Sequence, residues 1–222
     1  MRARILRRNF RAFTLVDLTI VIATAALFVV FFLPQLARPK RAGCRTFCSN
    51  NLKQVGLSFR LFSTDNGDAY PMELSTNLGG TKEFVRTPYS AFRHLLAMSN
   101  ELSTPFVVVC PEDKGRTRAA NWVGLNNRAV SYFIGLEATE TNRQTILSGD
   151  RYLTSGRSVT NGFLVLTTND VIRWTKNYHT NHGNLGLGDG SVTGQVDSTN
   201  LQQALRDSGV PTNRLALPEL PP

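Results

Sequence analysis

With 222 residues, 41% hydrophobic and 18% charged, the chain has room for a terminal anchor and one domain of ordinary size, and nothing in it marks a second domain. Its net charge of +9 invites a nucleic-acid reading, yet Arg2, Arg4, Arg7, Arg8 and Arg11 supply five of those charges from within the first twelve residues. The excess is mostly a leader, and the cluster from Arg38 to Arg45 is better assigned to anionic lipid headgroups than to DNA.

After this leader, residues 1–12, comes an apolar run from Phe13 to Leu33 whose only ionisable group is Asp17. A helix over the run is roughly 31 Å long, matching a hydrocarbon core of about 30 Å, so residues 13–33 are expected to form a transmembrane helix. An aspartate at the centre of such a helix costs on the order of 2.5–3.5 kcal/mol, and less near an end. Asp17 therefore asks for a partner or an interfacial position. The arginine-rich leader should hold the N-terminus in the cytoplasm, giving a single-pass inner-membrane protein with its head in the periplasm. A cleaved secretory signal is disfavoured, because its apolar core runs about 7–15 residues and ends in small residues, whereas this run ends in Phe-Phe-Leu-Pro.

Pro34 removes a backbone donor and is expected to kink the helix. Residues 34–65 extend it: Cys44, Cys48, Leu52, Val55, Phe59 and Phe62 recur every three or four positions while Lys53, Gln54 and Arg60 fall elsewhere. That pattern is one apolar stripe on an otherwise exposed helix, which needs a sheet to cover. The turn formers Asp65-Asn-Gly-Asp and the pair Tyr70-Pro71 end it. Residues 66–210 then read as the head. Met72 to Lys82 is loop-like, Ser90 to Met98 a short helix, and strands are expected over Pro105–Cys110, Ala129–Gly135, Thr145–Ser148, Gly162–Thr168, Asn184–Gly188 and Ser191–Val196. Asn161-Gly162 and Asp189-Gly190 favour type I′ hairpin turns, so the sheet should be mainly antiparallel. A short helix over Asn200–Asp207 and a proline-containing tail, residues 211–222, close an α+β chain.

A basic leader, a small residue, and Phe-Thr-Leu-x-acid opening an apolar helix resemble the class III signal of type IV pilins and of the pseudopilins of type II secretion. The resemblance implies a pilin-like lollipop, a long N-terminal transmembrane helix packed on a mainly antiparallel head. Ala12 then stands where the family has glycine before the cut. Phe13 becomes the N-methylated terminus left by prepilin peptidase, and Pro34 falls where many of these helices carry a proline. Asp17 stands for the usual glutamate, and in a filament of pilin or pseudopilin subunits it would pair with the α-amino group of a neighbour's Phe13.

The resemblance narrows further along the chain. Cys48-Ser-Asn-Asn-Leu-Lys-Gln-Val-Gly is similar to the C-x-N-N-L-K-Q-I-G helix of a large pseudopilin-like family abundant in Planctomycetes, Verrucomicrobia and Lentisphaerae. The family's C-terminal hallmark, a histidine, nine residues and Asp-Gly, is matched by His179, Asp189 and Gly190. Cys110-Pro-Glu-Asp and Gly149-Asp150-Arg151 resemble its intervening blocks. These matches imply a Cys48–Cys110 disulfide with Cys44 left over, a staple closing a loop of about 60 residues and nominally worth roughly 4 kcal/mol. The other reading is that all three cysteines are reduced and buried.

Asp150, Asp170 and Asp189 could make an oxygen-rich calcium site, although Asp189-Gly190 is already explained as a turn and no Asp-x-Asp-x-Asp loop is present. His179 and His182 are assigned to orienting that hairpin rather than to zinc, and no cofactor is expected otherwise. Triad residue types occur, but no Gly-x-Ser-x-Gly elbow does, so a membrane-tethered hydrolase ranks below a structural subunit. An anchored exported binding protein that never polymerises is the remaining alternative.

Overall fold

The computed structural model describes residues 14–36, 40–175, 179 and 181–222, with the side chains of residues 32–44 left out of the description. Ala12 and Phe13 lie outside the described residues. The chain divides into two compact units, Met1–Lys40 and Arg41–Pro222.

In the first unit, helix α1 spans Leu15–Leu36. Thr14 opens it: Asp17 Oδ2 accepts from the Thr14 N–H (3.0 Å) and hydroxyl (2.7 Å), while the Asp17 N–H donates back to Thr14 Oγ1 (3.2 Å). This reciprocal arrangement is a capping box that satisfies donors otherwise orphaned in the first turn. Apolar side chains are exposed around the helix, Leu15, Ile20, Phe28 and Phe31 each by more than half. The helix continues past Pro34 for two residues.

Among the described residues no helix is long and apolar enough to cross a membrane. This corrects the transmembrane helix expected over residues 13–33 and, with it, the single-pass inner-membrane placement. Helix α1 carries Asp17 in its first turn, a charge that is costly to bury in hydrocarbon. The lollipop is corrected too, because the helix that covers the sheet is a separate one in the second unit.

That helix, α2, spans Lys40–Asp65. It buries Cys48, Leu52, Val55 and Phe59 completely and Phe62 almost so, leaving Lys53, Gln54 and Arg60 in solvent. Each large apolar side chain so buried contributes about 1.5–3 kcal/mol. A short helix α3, Ala91–Leu96, and several single 3-10 turns lie on the same core, and α4, Ser198–Asp207, lies on the other.

The strands are β1 (Tyr132–Gly135), β2 (Ile146–Asp150), β3 (Leu153–Ser155), β4 (Phe163–Thr167), β5 (Ile172–Trp174), β6 (Gly183–Leu187), β7 (Val192–Val196) and β8 (Thr212–Ala216). Six form one antiparallel sheet in the order β4-β8-β1-β2-β6-β7, while β3 and β5 make a separate hairpin-like pair. Successive residues of β1 face opposite layers. Tyr132 and Ile134 pack with α2 and α3, whereas Phe133 packs with α4 and the β5 residues Ile172 and Trp174. The fold is thus α+β, with a central sheet buried on both faces.

Three expectations of local structure give way. Pro105–Cys110 is not a strand: residues 105–108 make a 3-10 turn, because Pro105 presets the first position and Thr104 caps it by accepting from the Phe106 N–H. The supposed tail supplies β8, paired with β4 along five residues and with β1 on its other side. Asp189-Gly190 does not make a type I′ turn, since only Gly190 takes a positive φ (76°); the loop closes through Leu187 N–H to Ser191 O and Gly190 N–H to Leu187 O, both 2.9 Å. At Asn161-Gly162, by contrast, both φ angles are positive (54° and 83°), and Thr160 and Phe163 exchange backbone hydrogen bonds around a type I′ turn.

Candidate functional site: a buried disulfide, histidine and carboxylate

Four segments converge at one end of α2. Cys48 projects from the apolar stripe of the helix, and Cys110 follows the 105–108 turn; the two are joined in a disulfide. Asn51, one turn on from Cys48, donates from Nδ2 to the Val109 carbonyl (3.1 Å), and the buried Tyr132 hydroxyl donates to the Cys48 carbonyl (3.3 Å). The helix and the Cys110 loop are therefore joined by a covalent bond and by hydrogen bonds beside it.

His179 stands against this bridge, with Nε2 3.8 Å from Cys110 Sγ and 3.7 Å from Asp150 Oδ2. Its Nδ1 lies 2.9 Å from Glu112 Oε2. Burial, reinforced by the positive charge of Arg45, holds the imidazole down to about 4, so the ring is neutral at ordinary pH. Asp150 ends β2 and is wholly buried. Its Oδ2 accepts from the Asn184 N–H (2.7 Å) and side-chain amide (2.9 Å), while Oδ1 is buried without a hydrogen bond. Burial outweighs those two donors and pushes the carboxyl up to about 7.

Beside the cluster, Asp113 has no exposed side-chain surface and holds Arg151 in a bidentate pair (2.8 and 3.1 Å); it also accepts from the Tyr152 hydroxyl at 3.2 Å. This pair ties the segment after Cys110 to the end of β2.

The sequence-selected residues are distributed as follows. Cys48, Cys110, His179 and Asp150 come together. Asp189 and Gly190 lie elsewhere, at the β6–β7 turn, where Asp189 Oδ1 accepts from the Ser191 N–H (2.9 Å). This turn packs on α2 at Gly56: a Cβ there would sit 2.4 Å from the Gly190 carbonyl oxygen. His179 and Gly190, the two ends of the histidine-to-Asp-Gly spacing, thus meet the same helix near Cys48 and at Gly56. Asp170 is engaged separately, accepting from Arg157 (2.8 Å) and from Thr167 (2.7 and 2.8 Å), contacts that hold its carboxyl down to about 2. Asp150, Asp170 and Asp189 do not converge on a calcium site; among the described residues the one group of metal-ligating types that does converge is Cys48, Cys110 and His179. Ser131 and Ser148 are buried with hydroxyls that make no hydrogen bond, so no serine–histidine pair forms here.

Glu112 and Asn184 were not singled out from the sequence, and Arg45 was assigned there to lipid headgroups rather than to this cluster. Glu112 sits two residues after Cys110 in the Cys-Pro-Glu-Asp segment, which was the available signal. No family model, curated protein or solved structure matches the chain. Its geometry alone defines an α+β domain whose surface helix is covalently stapled beside a buried histidine–carboxylate pair, together with an apolar helix exposed in a unit of its own.

Proposed function

We propose that the chain is a pseudopilin-like structural subunit, cut before Phe13 and N-methylated by a prepilin peptidase, that assembles with other pilin or pseudopilin subunits through α1 into a filament of the type II secretion or type IV pilus kind. The observation that carries this reading is α1 itself, an apolar helix exposed around its surface and opened by a lone carboxylate. Such a surface is stabilised when neighbouring helices cover it. Asp17 caps its own helix through Oδ2, and a carboxylate has acceptor capacity for a further donor. The α-amino group of a neighbouring Phe13 supplies one, and the pair neutralises both charges inside the bundle.

Mass spectrometry of the N-terminus in the native organism tests the reading, with a methylated Phe13 terminus expected and a chain still starting at Met1 refuting processing. Asp17→Asn keeps an oxygen for the cap but removes the charge. It should lower incorporation into assemblies at least tenfold, read by sedimentation and electron microscopy; unchanged assembly would sink the pairing role.

A further inference from the structure

We propose that Cys48, Cys110, His179 and Asp150 form a tetrahedral zinc site when the disulfide is reduced, so that the staple on α2 exists in two chemical forms, a sulfur–sulfur bond and a metal ion. The proposal stands independently of filament assembly. Two edges of the tetrahedron are already in place. Zinc bound to sulfur at about 2.3 Å and to nitrogen or oxygen at about 2.0–2.2 Å separates its ligand atoms by roughly 3.3–3.8 Å. His179 Nε2 lies 3.8 Å from Cys110 Sγ and 3.7 Å from Asp150 Oδ2. The ligand atoms of Cys48, Cys110 and His179 all lie within 4.8 Å of one another. Breaking the sulfur–sulfur bond and turning the two cysteine side chains apart by rotation at χ1 opens the sulfur–sulfur edge, and the three other edges, from Cys48 Sγ to His179 and from both sulfurs to Asp150, close as the ion draws its ligands in.

The surroundings suit a metal as well as the ligands do. Glu112 stands 2.9 Å from Nδ1 of His179, the place of the carboxylate that orients a metal-bound imidazole and raises its basicity. Asp150 Oδ1 is buried and lacks a hydrogen bond, so this carboxylate holds unused acceptor capacity next to the ion. Zinc with two thiolates and one carboxylate carries one net negative charge, and Arg45, which borders the small opening beside His179 with His182 and Gln195, offsets it. Two sulfurs and an imidazole favour zinc over calcium or magnesium, which take oxygen ligands.

The interconversion balances. A dithiol of the thioredoxin class delivers two electrons and two protons to the bridge and leaves as its own disulfide, converting Cys48 and Cys110 to thiols. Zinc then displaces both thiol protons to solvent. Oxidation by a disulfide-bearing partner removes two electrons, reforms the bridge and expels the ion.

The test uses the full chain carrying Cys44→Ser, which removes the competing thiol, in reduced and oxidised forms, with Co²⁺ as the spectroscopic probe and Zn²⁺ as competitor. The reduced chain should bind one Co²⁺ with the intense visible bands of a tetrahedral ion and thiolate charge-transfer absorption, and Zn²⁺ should bleach both. The oxidised chain should show neither. Glu112→Gln should weaken Zn²⁺ binding by about 10–100-fold while leaving the band shape unchanged, and Asp150→Asn should shift the visible envelope. Circular dichroism accompanies each titration: a reduced chain that stays folded and binds no Co²⁺, or one that unfolds and is not refolded by Zn²⁺, overturns the proposal. Equal binding by the oxidised chain, or by the Cys48→Ser/Cys110→Ser variant, overturns it as well.

Discussion

Replacing Gly56 with alanine probes the contact through which the β6–β7 turn sits on α2. An added Cβ would lie 2.4 Å from the Gly190 carbonyl oxygen and 3.1 Å from its carbon, about 1 Å inside ordinary van der Waals contact, so turn and helix must separate. Overpacking of this kind costs about 1–3 kcal/mol. Alanine also favours a helix over glycine by about 1 kcal/mol, which offsets part of the loss and leaves a net destabilisation of about 1 kcal/mol. For a domain of this size that is a fall in Tm of about 2–4 °C. Gly190→Ala meets the same contact from the other side, 3.0 Å from the Gly56 carbonyl oxygen, and adds strain at φ 76°, so it should be at least as damaging. The double variant should lose less than the two singles together, because once the turn has lifted the second methyl meets less resistance. Differential scanning calorimetry of the four proteins gives the cycle, with the exposed Lys53→Ala as a helix control expected to change stability by under about 0.5 kcal/mol. A Gly56→Ala protein as stable as its parent, or more so, would refute the docking contact.

His94 is buried on α3, with Nδ1 2.8 Å from Thr81 Oγ1, and burial holds its pKa down to about 4. The unfolded chain, titrating near 6.5, takes up the proton first, so this group's contribution to stability is present above pH 6.5 and is lost as pH falls toward 4. Between pH 7 and pH 5 the loss should be about 2 kcal/mol, read as the difference in urea unfolding free energy between parent and His94→Gln; parallel pH profiles would contradict it. Arg151→Met strands the fully buried Asp113 carboxylate and should cost about 3–5 kcal/mol, with Arg151→Met/Asp113→Leu recovering part of that. Chemical denaturation would show this, and a cost below 1 kcal/mol for the single variant would mean the pair contributes little.

The sequence exposed those parts of the fold in which periodicity and chemistry coincide locally. The α2 stripe was legible because Cys48, Leu52, Val55 and Phe59 repeat at the helical period, and Asn161-Gly162 because both residues tolerate positive φ. Pro105-Phe-Val-Val-Val misled, since β-branching argues for a strand whereas the Thr104 cap and the proline select a 3-10 turn. β8 was missed because Thr212, Asn213 and Arg214 look like loop. In the folded chain their polar groups exchange water for protein partners, the Arg214 N–H donating to Glu137 (2.7 Å) and Asn213 donating to Ser208 (3.3 Å). The run from Phe13 to Leu33 read as a membrane span on its length, whereas among the described residues no helix is long and apolar enough to cross a membrane. At the site, the cysteines and His179 stood out through their spacing. The approach of Glu112, Asp150, Asn184 and Arg45 is a product of sheet order, which no local pattern encodes.

The position of β8 sets a direction for folding. Residues 212–216 leave the ribosome after the seven other strands of the described residues, yet they fill the gap between β4 and β1. Until they arrive, those two strands present open hydrogen-bonding edges, and β4 has no partner in the sheet at all. The head therefore cannot zip up progressively during synthesis; it completes in a late step that brings together residues about 80 apart in the chain, the kind of distant pairing that slows folding. Over that interval the unpaired edges invite strand exchange with another chain, so a nascent copy of this protein is most exposed to misassembly just before its final strand docks.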